Sequence, residues 1–315
     1  MAALARILRQ CRGWRAKHLL GAKDLSRDHL ERILGLSLNL DRVPPDDLRA
    51  AAPLKGRRVF NFFAEASTRT KTSFSIAARQ LGAEVLDFSP STSSLTKGES
   101  LKDTAKVIES MGVDFVVIRH AAGGAPHFLS RQVHGAVLNA GDGMNEHPTQ
   151  ALLDLLTIKK VLGRTTKLRI ALVGDIAHSR VARSNLWVHR TLGNEVVLCG
   201  PATLVPRELP ARISHDLDRV LRESDVVMML RLQLERQQAG LLPSATEYAR
   251  LFGLTRERMD LLPKGAIVMH PGPMNRGLEI SAEAADSDRS VILDQVANGV
   301  VVRMAALLLL AEALS

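Results

Sequence analysis

Four consecutive polar residues, Ser67–Thr68–Arg69–Thr70, are the strongest candidate for a binding site in this sequence. They lie between a strand-like run, residues 58–63, and a helical pattern that stops at Gly82. A turn from a strand into a helix presents backbone N–H groups and the positive end of the helix dipole to a ligand. The hydroxyls and the guanidinium add donors that suit the oxygens of a phosphate. Alternatively, Ser67 or Thr68 only caps the helix, and the turn by itself does not decide between these interpretations.

Other side chains with useful chemistry lie at or just after the ends of predicted strands. These are Arg119, His147, Arg180, Arg231 and His270. Gln150 lies one turn into the helix that begins at Pro148, on a similar side to His147. The carboxyl ends of parallel strands meet at one edge of a sheet, where open α/β sheets bind their ligands. Several cations and an imidazole at such an edge indicate a pair of anionic substrates.

The elements that must position these residues follow an alternating pattern. Apolar runs of strand length alternate with helical patterns along the whole chain, which predicts an α/β fold with parallel sheets flanked by helices. A length of 315 residues suggests two domains. We expect a first domain of residues 1–147 plus 290–315, a bridging helix over 148–163 and a second domain over 164–289. The strongly apolar C-terminal helix, about residues 288–314, is predicted to pack back on the first domain.

Composition and motifs exclude several classes of protein. The segment Val173–His178 carries only one glycine of the G-x-G-x-x-G fingerprint, so a nicotinamide site is disfavoured, and no P-loop motif occurs. His120, His127 and His134 are regularly spaced, but they fall on different predicted elements without a carboxylate cluster. We therefore expect neither a metal nor a cofactor.

The net charge of +9 is spread along a chain with one Tyr and two Trp and without a dense basic block. It favours small anionic substrates over nucleic acid. Two isolated cysteines fit a reducing cytoplasm. The apolar run Met304–Ala311 is shorter than the roughly 20 residues of a membrane span, so none is expected. The basic segment Met1–Lys23 resembles a transit peptide only weakly, and a disordered extension of about a dozen residues is favoured.

Three motifs together resemble the aspartate/ornithine carbamoyltransferase family. They are Phe63-Ala-Glu-Ala-Ser-Thr-Arg-Thr70, His147-Pro-Thr-Gln150 and the strand end at Arg119, and the similarity extends from about Lys17 to Leu310. Leu230–Arg236 resembles the R-x-Q-x-E-R segment of the aspartate-specific branch. The ornithine-specific branch typically has His-Cys-Leu-Pro where this chain has His270-Pro-Gly-Pro273, and its Ser-Met-Gly motif is missing here. The resemblance thus implies transfer of a carbamoyl group from carbamoyl phosphate to L-aspartate in pyrimidine biosynthesis.

The resemblance also implies roles for the matching residues. Carbamoyl phosphate would be bound by Ser67, Thr68, Arg69, Thr70, Arg119, His147, Gln150, Gly272 and Pro273, of which Arg69, Thr70, Arg119 and His147 would be catalytic. Aspartate would be bound by Lys97, Arg180, Arg231 and Gln233, with Ser93 or Ser94 beside Lys97. Glu65 would pair with Arg180 and Arg236 and hold a closed form.

In this family the loop that carries Lys97 reaches the active site of a neighbouring subunit. The resemblance therefore implies a homotrimer with shared active sites, alone or in a larger assembly with a regulatory or dihydroorotase-like chain. Two alternatives remain open. One is a non-catalytic structural subunit of this family, and the other is a carbamoyltransferase for another amino acid such as ornithine.

Overall fold

The computed structural model describes residues 2–87, 100–233 and 244–315. The chain divides into a first unit, Met1–Leu156 with Asn298–Ser315, and a second unit, Thr157–Ala297. The division falls inside two helices, of which one, Pro148–Leu162, was expected to bridge two domains. The predicted α/β fold, with a parallel sheet flanked by helices in each half, is confirmed.

The first unit is built on four parallel strands in the order β2-β1-β3-β4. The strands are β1 Arg58–Phe63, β2 Glu84–Asp87, β3 Phe115–His120 and β4 Ala136–Asp142. Its helices are α1 Ala2–Leu8, α2 Arg27–Leu40, α3 Pro45–Ala51, α4 Thr68–Gln80, α5 Leu101–Ser110, α6 Ala125–Ser130 and the start of α7 Pro148–Leu162. Phe115–Ile118 are fully buried. Helices cover both faces of a parallel sheet, which explains why these strands read as continuous apolar runs.

The second unit has five parallel strands in the order β7-β6-β5-β8-β9. The strands are β5 Arg169–Val173, β6 Glu195–Cys199, β7 Arg212–Ser214, β8 Val226–Met229 and β9 Ile267–Met269. Its helices are α8 Arg180–Thr191, α9 Leu217–Glu223, α10 Ala245–Phe252, α11 Arg256–Met259 and α12 Ala282–Ala285. Ala171 and Val173 enter one apolar cluster while Ile170 and Leu172 enter another. Successive strand residues point to opposite faces, so this sheet is apolar on both sides.

The prediction of a disordered N-terminal extension is wrong over the described residues. α1 is followed by a single 3₁₀ turn at Arg9–Cys11, and Leu4, Cys11 and Trp14 are buried. The guanidinium of Arg32 donates to the carbonyl oxygens of residues 10–13 and lies 5.3 Å from the centroid of the Trp14 ring. These tertiary contacts order a segment that is too short to form a stable helix alone.

The last helix, α13 Ile292–Ala313, confirms the predicted packing of the C-terminal helix on the first half of the chain. By length and composition alone it is also sufficient to cross a membrane, which corrects the estimate made from Met304–Ala311. Core helices of soluble proteins meet the same criterion, and residues 302–310 of α13 are buried within the first unit. The Arg303 guanidinium donates to the Ser73 hydroxyl of α4 at 2.7 Å, so this part of the helix belongs to the protein core.

Candidate active site

The Ser67–Thr70 turn joins β1 to α4 as predicted. Ser67 occupies the N-cap position in an extended backbone conformation, but its side chain makes no capping hydrogen bond. The structure therefore does not support the interpretation that Ser67 is only a helix cap. Arg69 is exposed overall, and desolvation of its guanidinium lowers its pKa from the ordinary value. Thr70 is buried.

Arg119 lies beside this turn, at the end of the neighbouring strand. The backbone of Phe63 at the end of β1 is in register with Arg119 in β3. Arg119 Nη2 donates to Glu65 Oε1 at 2.6 Å, and Arg119 Nη1 donates to the Ala140 carbonyl oxygen at 3.4 Å. The charge-assisted bond to Glu65 orients the Arg119 guanidinium at the carboxyl edge of the first sheet.

His147 and Gln150 begin helix α7, which follows β4. The His147 carbonyl oxygen accepts from the Gln150 N–H at 3.0 Å, Pro148 is the first helical residue, and both side chains are almost entirely buried. The preceding turn is held by Asp142, whose Oδ1 accepts from the Glu146 N–H at 3.0 Å and whose Oδ2 accepts from the Gly124 N–H at 2.7 Å. Sequence reasoning missed Asp142, because only the folded chain reveals which backbone groups it binds.

The first unit thus brings three predicted groups to one edge of its sheet. The turn after β1, Arg119 near the end of β3 and the helix after β4 all lie at the carboxyl ends of adjacent parallel strands. This edge combines hydroxyls, two guanidiniums and an imidazole. It offers several hydrogen-bond donors to an anion.

The second unit repeats this arrangement with Arg180, Arg231 and His270. They follow β5, β8 and β9, which are adjacent in the sheet. Arg180 is the first residue of α8, behind the N-cap Ser179, and is 5% exposed. Two guanidiniums at the end of one sheet suit a ligand with more than one carboxylate.

Asp175 links the segments that carry Arg180 and Arg231. Asp175 Oδ1 lies 2.8 Å from His178 Nδ1, and Asp175 Oδ2 accepts from the Gln233 N–H at 3.3 Å. Gln233 Nε2 donates to the His178 carbonyl oxygen at 2.9 Å. That carbonyl can only accept, so the amide nitrogen of Gln233 faces it.

Gly174 explains the partial resemblance of this loop to a dinucleotide fingerprint. Its φ is +124°, and an added Cβ would lie 2.8 Å from the Tyr248 hydroxyl and 2.9 Å from the Leu230 carbonyl oxygen. Glycine is required here by the close approach of two neighbouring segments.

The predicted residues Gly272 and Pro273 lie in a loop held by two buried side chains. His270 Nδ1 accepts from the Gly272 N–H at 2.8 Å, so its ring proton is on Nε2, which lies 3.3 Å from Glu279 Oε1. The same oxygen accepts from the Asn275 N–H. His270 and Glu279 therefore fix both ends of the loop, and Glu279 was not foreseen from the sequence.

Some predicted residues cannot be placed. Lys97, Arg236, Ser93 and Ser94 lie outside the described residues, so the role of the loop lysine and the pairing of Glu65 with Arg236 stay predictions. The pairing of Glu65 with Arg180 also stays a prediction, and Glu65 accepts from Arg119 in this structure. Across residues 2–87, 100–233 and 244–315, no group of three or more His, Cys, Asp or Glu side chains is arranged to hold a metal ion.

Two family models match the chain. Residues 17–160 match the carbamoyl-P binding domain of aspartate/ornithine carbamoyltransferase, and residues 166–310 match its Asp/Orn binding domain. A protein of Acidothermus cellulolyticus named aspartate carbamoyltransferase catalytic subunit is 55% identical over 297 residues, which cover 93% of this chain and 92% of that protein. A protein of the same name from Thermobifida fusca is 54% identical over 297 residues, covering 93% and 95%.

Solved structures give the same result. Aspartate transcarbamoylase from Trypanosoma cruzi in complex with carbamoyl phosphate superposes with a TM-score of 0.88 at 32% identity, covering 96% of this chain and 98% of that one. The same enzyme in complex with N-(phosphonacetyl)-L-aspartic acid gives a TM-score of 0.85 at 33% identity, covering 94% and 96%. The chain therefore belongs to the aspartate/ornithine carbamoyltransferase family.

Proposed function

We propose that this protein transfers the carbamoyl group of carbamoyl phosphate to the α-amine of L-aspartate, giving N-carbamoyl-L-aspartate and phosphate in pyrimidine biosynthesis. The observation that carries the proposal is the match along 93% of the chain to relatives named aspartate carbamoyltransferase catalytic subunit. Relatives whose structures contain carbamoyl phosphate and aspartate support the choice of substrates.

Carbamoyl phosphate would bind at the carboxyl edge of the first sheet. Its phosphate would accept hydrogen bonds from the Ser67–Thr70 turn and from Arg119. Thr70, Arg119 and His147 would donate to the carbonyl oxygen, while Gln150 and the carbonyl groups around Gly272 and Pro273 would hold the NH₂ group. Two observations support this assignment: the Ser67 side chain makes no capping hydrogen bond, and the strands that lead to the residues of the first unit are neighbours in one sheet.

Aspartate would bind to residues of the second unit. Arg180 and Arg231 would pair with its two carboxylates, because a guanidinium fork matches a carboxylate in two hydrogen bonds. Gln233 would assist them, and Lys97 would supply a further cation. The hydrogen bonds that hold Gln233 to His178 and Asp175 support a fixed orientation for its side chain.

The reaction needs charge stabilisation more than it needs a protein base. Attack by the uncharged amine converts the carbamoyl carbonyl into a tetrahedral oxyanion, and each donor already aimed at that oxygen contributes about 3–4 kcal/mol to lowering the barrier. His147 would act as such a donor. The departing phosphate can accept the proton of the amine, and holding both substrates in line supplies a further large share of the rate.

The assembly belongs to the same proposal. The active form would be a cytoplasmic homotrimer that shares its active sites through the loop carrying Lys97. A carbamoyl-phosphate domain of residues 1–147 and 290–315 would be joined by the helix 148–163 to an aspartate domain of residues 164–289. Glu65 would pair with Arg180 and Arg236 when both substrates are bound. A regulatory or dihydroorotase-like chain would bind outside this trimer.

The test is a transfer assay on the full-length protein. Carbamoyl phosphate is supplied with L-aspartate or with L-ornithine, and the ureido product is measured. We expect carbamoyl aspartate and no citrulline. Citrulline alone would favour the ornithine alternative, and no product from either amine would favour the non-catalytic subunit.

A further inference from the structure

Asp154 is a buried carboxylate that the proposed mechanism does not use. It lies one helical turn after Gln150 on α7, and its side chain is fully buried. Asp154 Oδ1 accepts a hydrogen bond from Gln150 Nε2 at 2.9 Å. An ionised carboxylate can only accept, so the nitrogen of the Gln150 amide must face Asp154. The amide oxygen, Gln150 Oε1, therefore points away from this anchor.

Arg303 supplies the positive charge near Asp154. Its side chain comes from α13, is 3% exposed, and donates through Nη1 to the Ser73 hydroxyl at 2.7 Å. Its Cζ atom lies 4.9 Å from the centroid of the Phe74 ring. Burial lowers the pKa of Arg303 to about 10, and the charge of Asp154 acts in the opposite direction. Arg303 is thus charged at neutral pH, and the two opposite charges stabilise each other.

Gly299 leaves the space that this guanidinium occupies. A Cβ atom at Gly299 would lie 2.5 Å from Arg303 Nη1 and 3.3 Å from Leu153 Cδ2. The backbone of α13 at Gly299 therefore packs closely against the Arg303 side chain of the next turn and against Leu153 of α7, the residue before Asp154. Through Ser73 and Phe74, the same guanidinium contacts α4, the helix that begins at the Ser67–Thr70 turn.

We propose that Asp154, supported by Arg303, is a positioning residue that turns the Gln150 carbonyl oxygen toward the NH₂ group of bound carbamoyl phosphate. This inference rests on the proposed function and deepens it. A fixed acceptor at that point distinguishes the carbamoyl NH₂ from a methyl group of similar size, because a methyl group cannot donate a hydrogen bond. By fixing the Gln150 amide, Asp154 and Arg303 would thus set the selectivity of the site for carbamoyl phosphate over acetyl phosphate.

The test is the ratio of two dissociation constants, measured by calorimetry on the full-length protein with acetyl phosphate and carbamoyl phosphate. In Asp154→Asn the anchoring side chain can donate as well as accept, so the Gln150 amide is free to reverse. We expect the preference for carbamoyl phosphate to fall about fivefold, the value of one neutral hydrogen bond. Structural damage alone would weaken the binding of both ligands equally and leave the ratio of the two dissociation constants unchanged. Asp47→Asn, the same change at an exposed carboxylate of the first unit, should leave the ratio unchanged.

A double-mutant cycle locates the effect at Gln150. Gln150→Leu should reduce the preference by itself, and adding Asp154→Asn to it should change the ratio no further, since coupled residues are not additive. If Asp154→Asn leaves an uncompensated charge and folds poorly, D154N/R303M removes both charges and is measured in the same way. An unchanged ratio in folded Asp154→Asn or D154N/R303M, with normal turnover by the native enzyme, would overturn this inference alone. Failure of the native enzyme to transfer a carbamoyl group would overturn the proposed function and the inference together.

Discussion

We expect the stability of the second unit to depend on pH through His189. It lies near the end of α8 and is fully buried, and its Nδ1 accepts from Asn194 Nδ2 at 3.0 Å. Asn194 in turn accepts from the Leu168 N–H and donates to the Thr165 carbonyl oxygen. Burial lowers the pKa of His189 from 6.5 to about 4. The neutral imidazole is therefore part of the hydrogen-bond network that joins α8 to the start of β5.

The direction of this pH dependence follows from the lowered pKa of His189 in the folded state. The unfolded chain takes up a proton near pH 6.5 and the folded chain only near pH 4, so stability is lost as the pH falls through this window. Between pH 7 and pH 5 the difference corresponds to about 2 kcal/mol from this residue alone. Below pH 4 both states are protonated and the loss is complete.

The measurement compares urea unfolding at pH 7 and pH 5 for the native protein and for His189→Asn, at one protein concentration. Asparagine can still accept from Asn194 but does not titrate, so the variant should lose about 2 kcal/mol less stability on acidification. The control is His134→Asn, which removes an imidazole that is 94% exposed and pairs with Glu109 at the surface. Because an exposed ion pair contributes at most about 1 kcal/mol, this variant should change the acid-induced loss by much less than His189→Asn. Equal losses in the native protein and His189→Asn would refute the assignment of a buried, neutral His189.

Two further predictions concern the proposed binding residues. Arg231→Ala should raise the aspartate KM about 100-fold through loss of charge-assisted hydrogen bonds and leave carbamoyl phosphate binding nearly intact, whereas the exposed Arg222→Ala should change neither. Equal losses for both ligands would contradict the role given to Arg231. Glu279→Ala should weaken carbamoyl phosphate binding, because it frees both His270 and the Asn275 N–H, and Glu279→Gln should restore most of the binding through an oxygen in the same place. Steady-state kinetics and thermal melts of both variants test this, and a Gln variant as impaired as the Ala variant would show that the negative charge matters more than the loop geometry.

The sequence was sufficient for features that depend on periodicity and on strand ends. Alternating apolar runs predict the two parallel sheets, and the ends of those runs predict the positions of Arg119 and Arg231 at or just after strand ends. Buried carboxylates such as Asp154 and Glu279 escaped prediction. In a sequence they look like surface residues, and only their partners in the fold reveal their role.

Predictions from the sequence fail where tertiary contacts override local composition. The basic N-terminus looks disordered until Arg32 supplies donors for its carbonyl groups. The edge strand β7, Arg212–Ser214, gives no strand pattern in the sequence, because its three residues contain only one apolar side chain. Gly174, the one glycine of the incomplete fingerprint, is explained by its close approach to the Tyr248 hydroxyl and the Leu230 carbonyl oxygen.

The most direct test of the central claim follows the carbamoyl carbon itself. Carbamoyl phosphate labelled with ¹³C is incubated with the purified protein and an equimolar mixture of L-aspartate and L-ornithine, and the products are followed by NMR. The label should move to the ureido carbon of carbamoyl aspartate, with one phosphate released per transfer. Label in citrulline, or release of phosphate without any ureido product, would contradict the account.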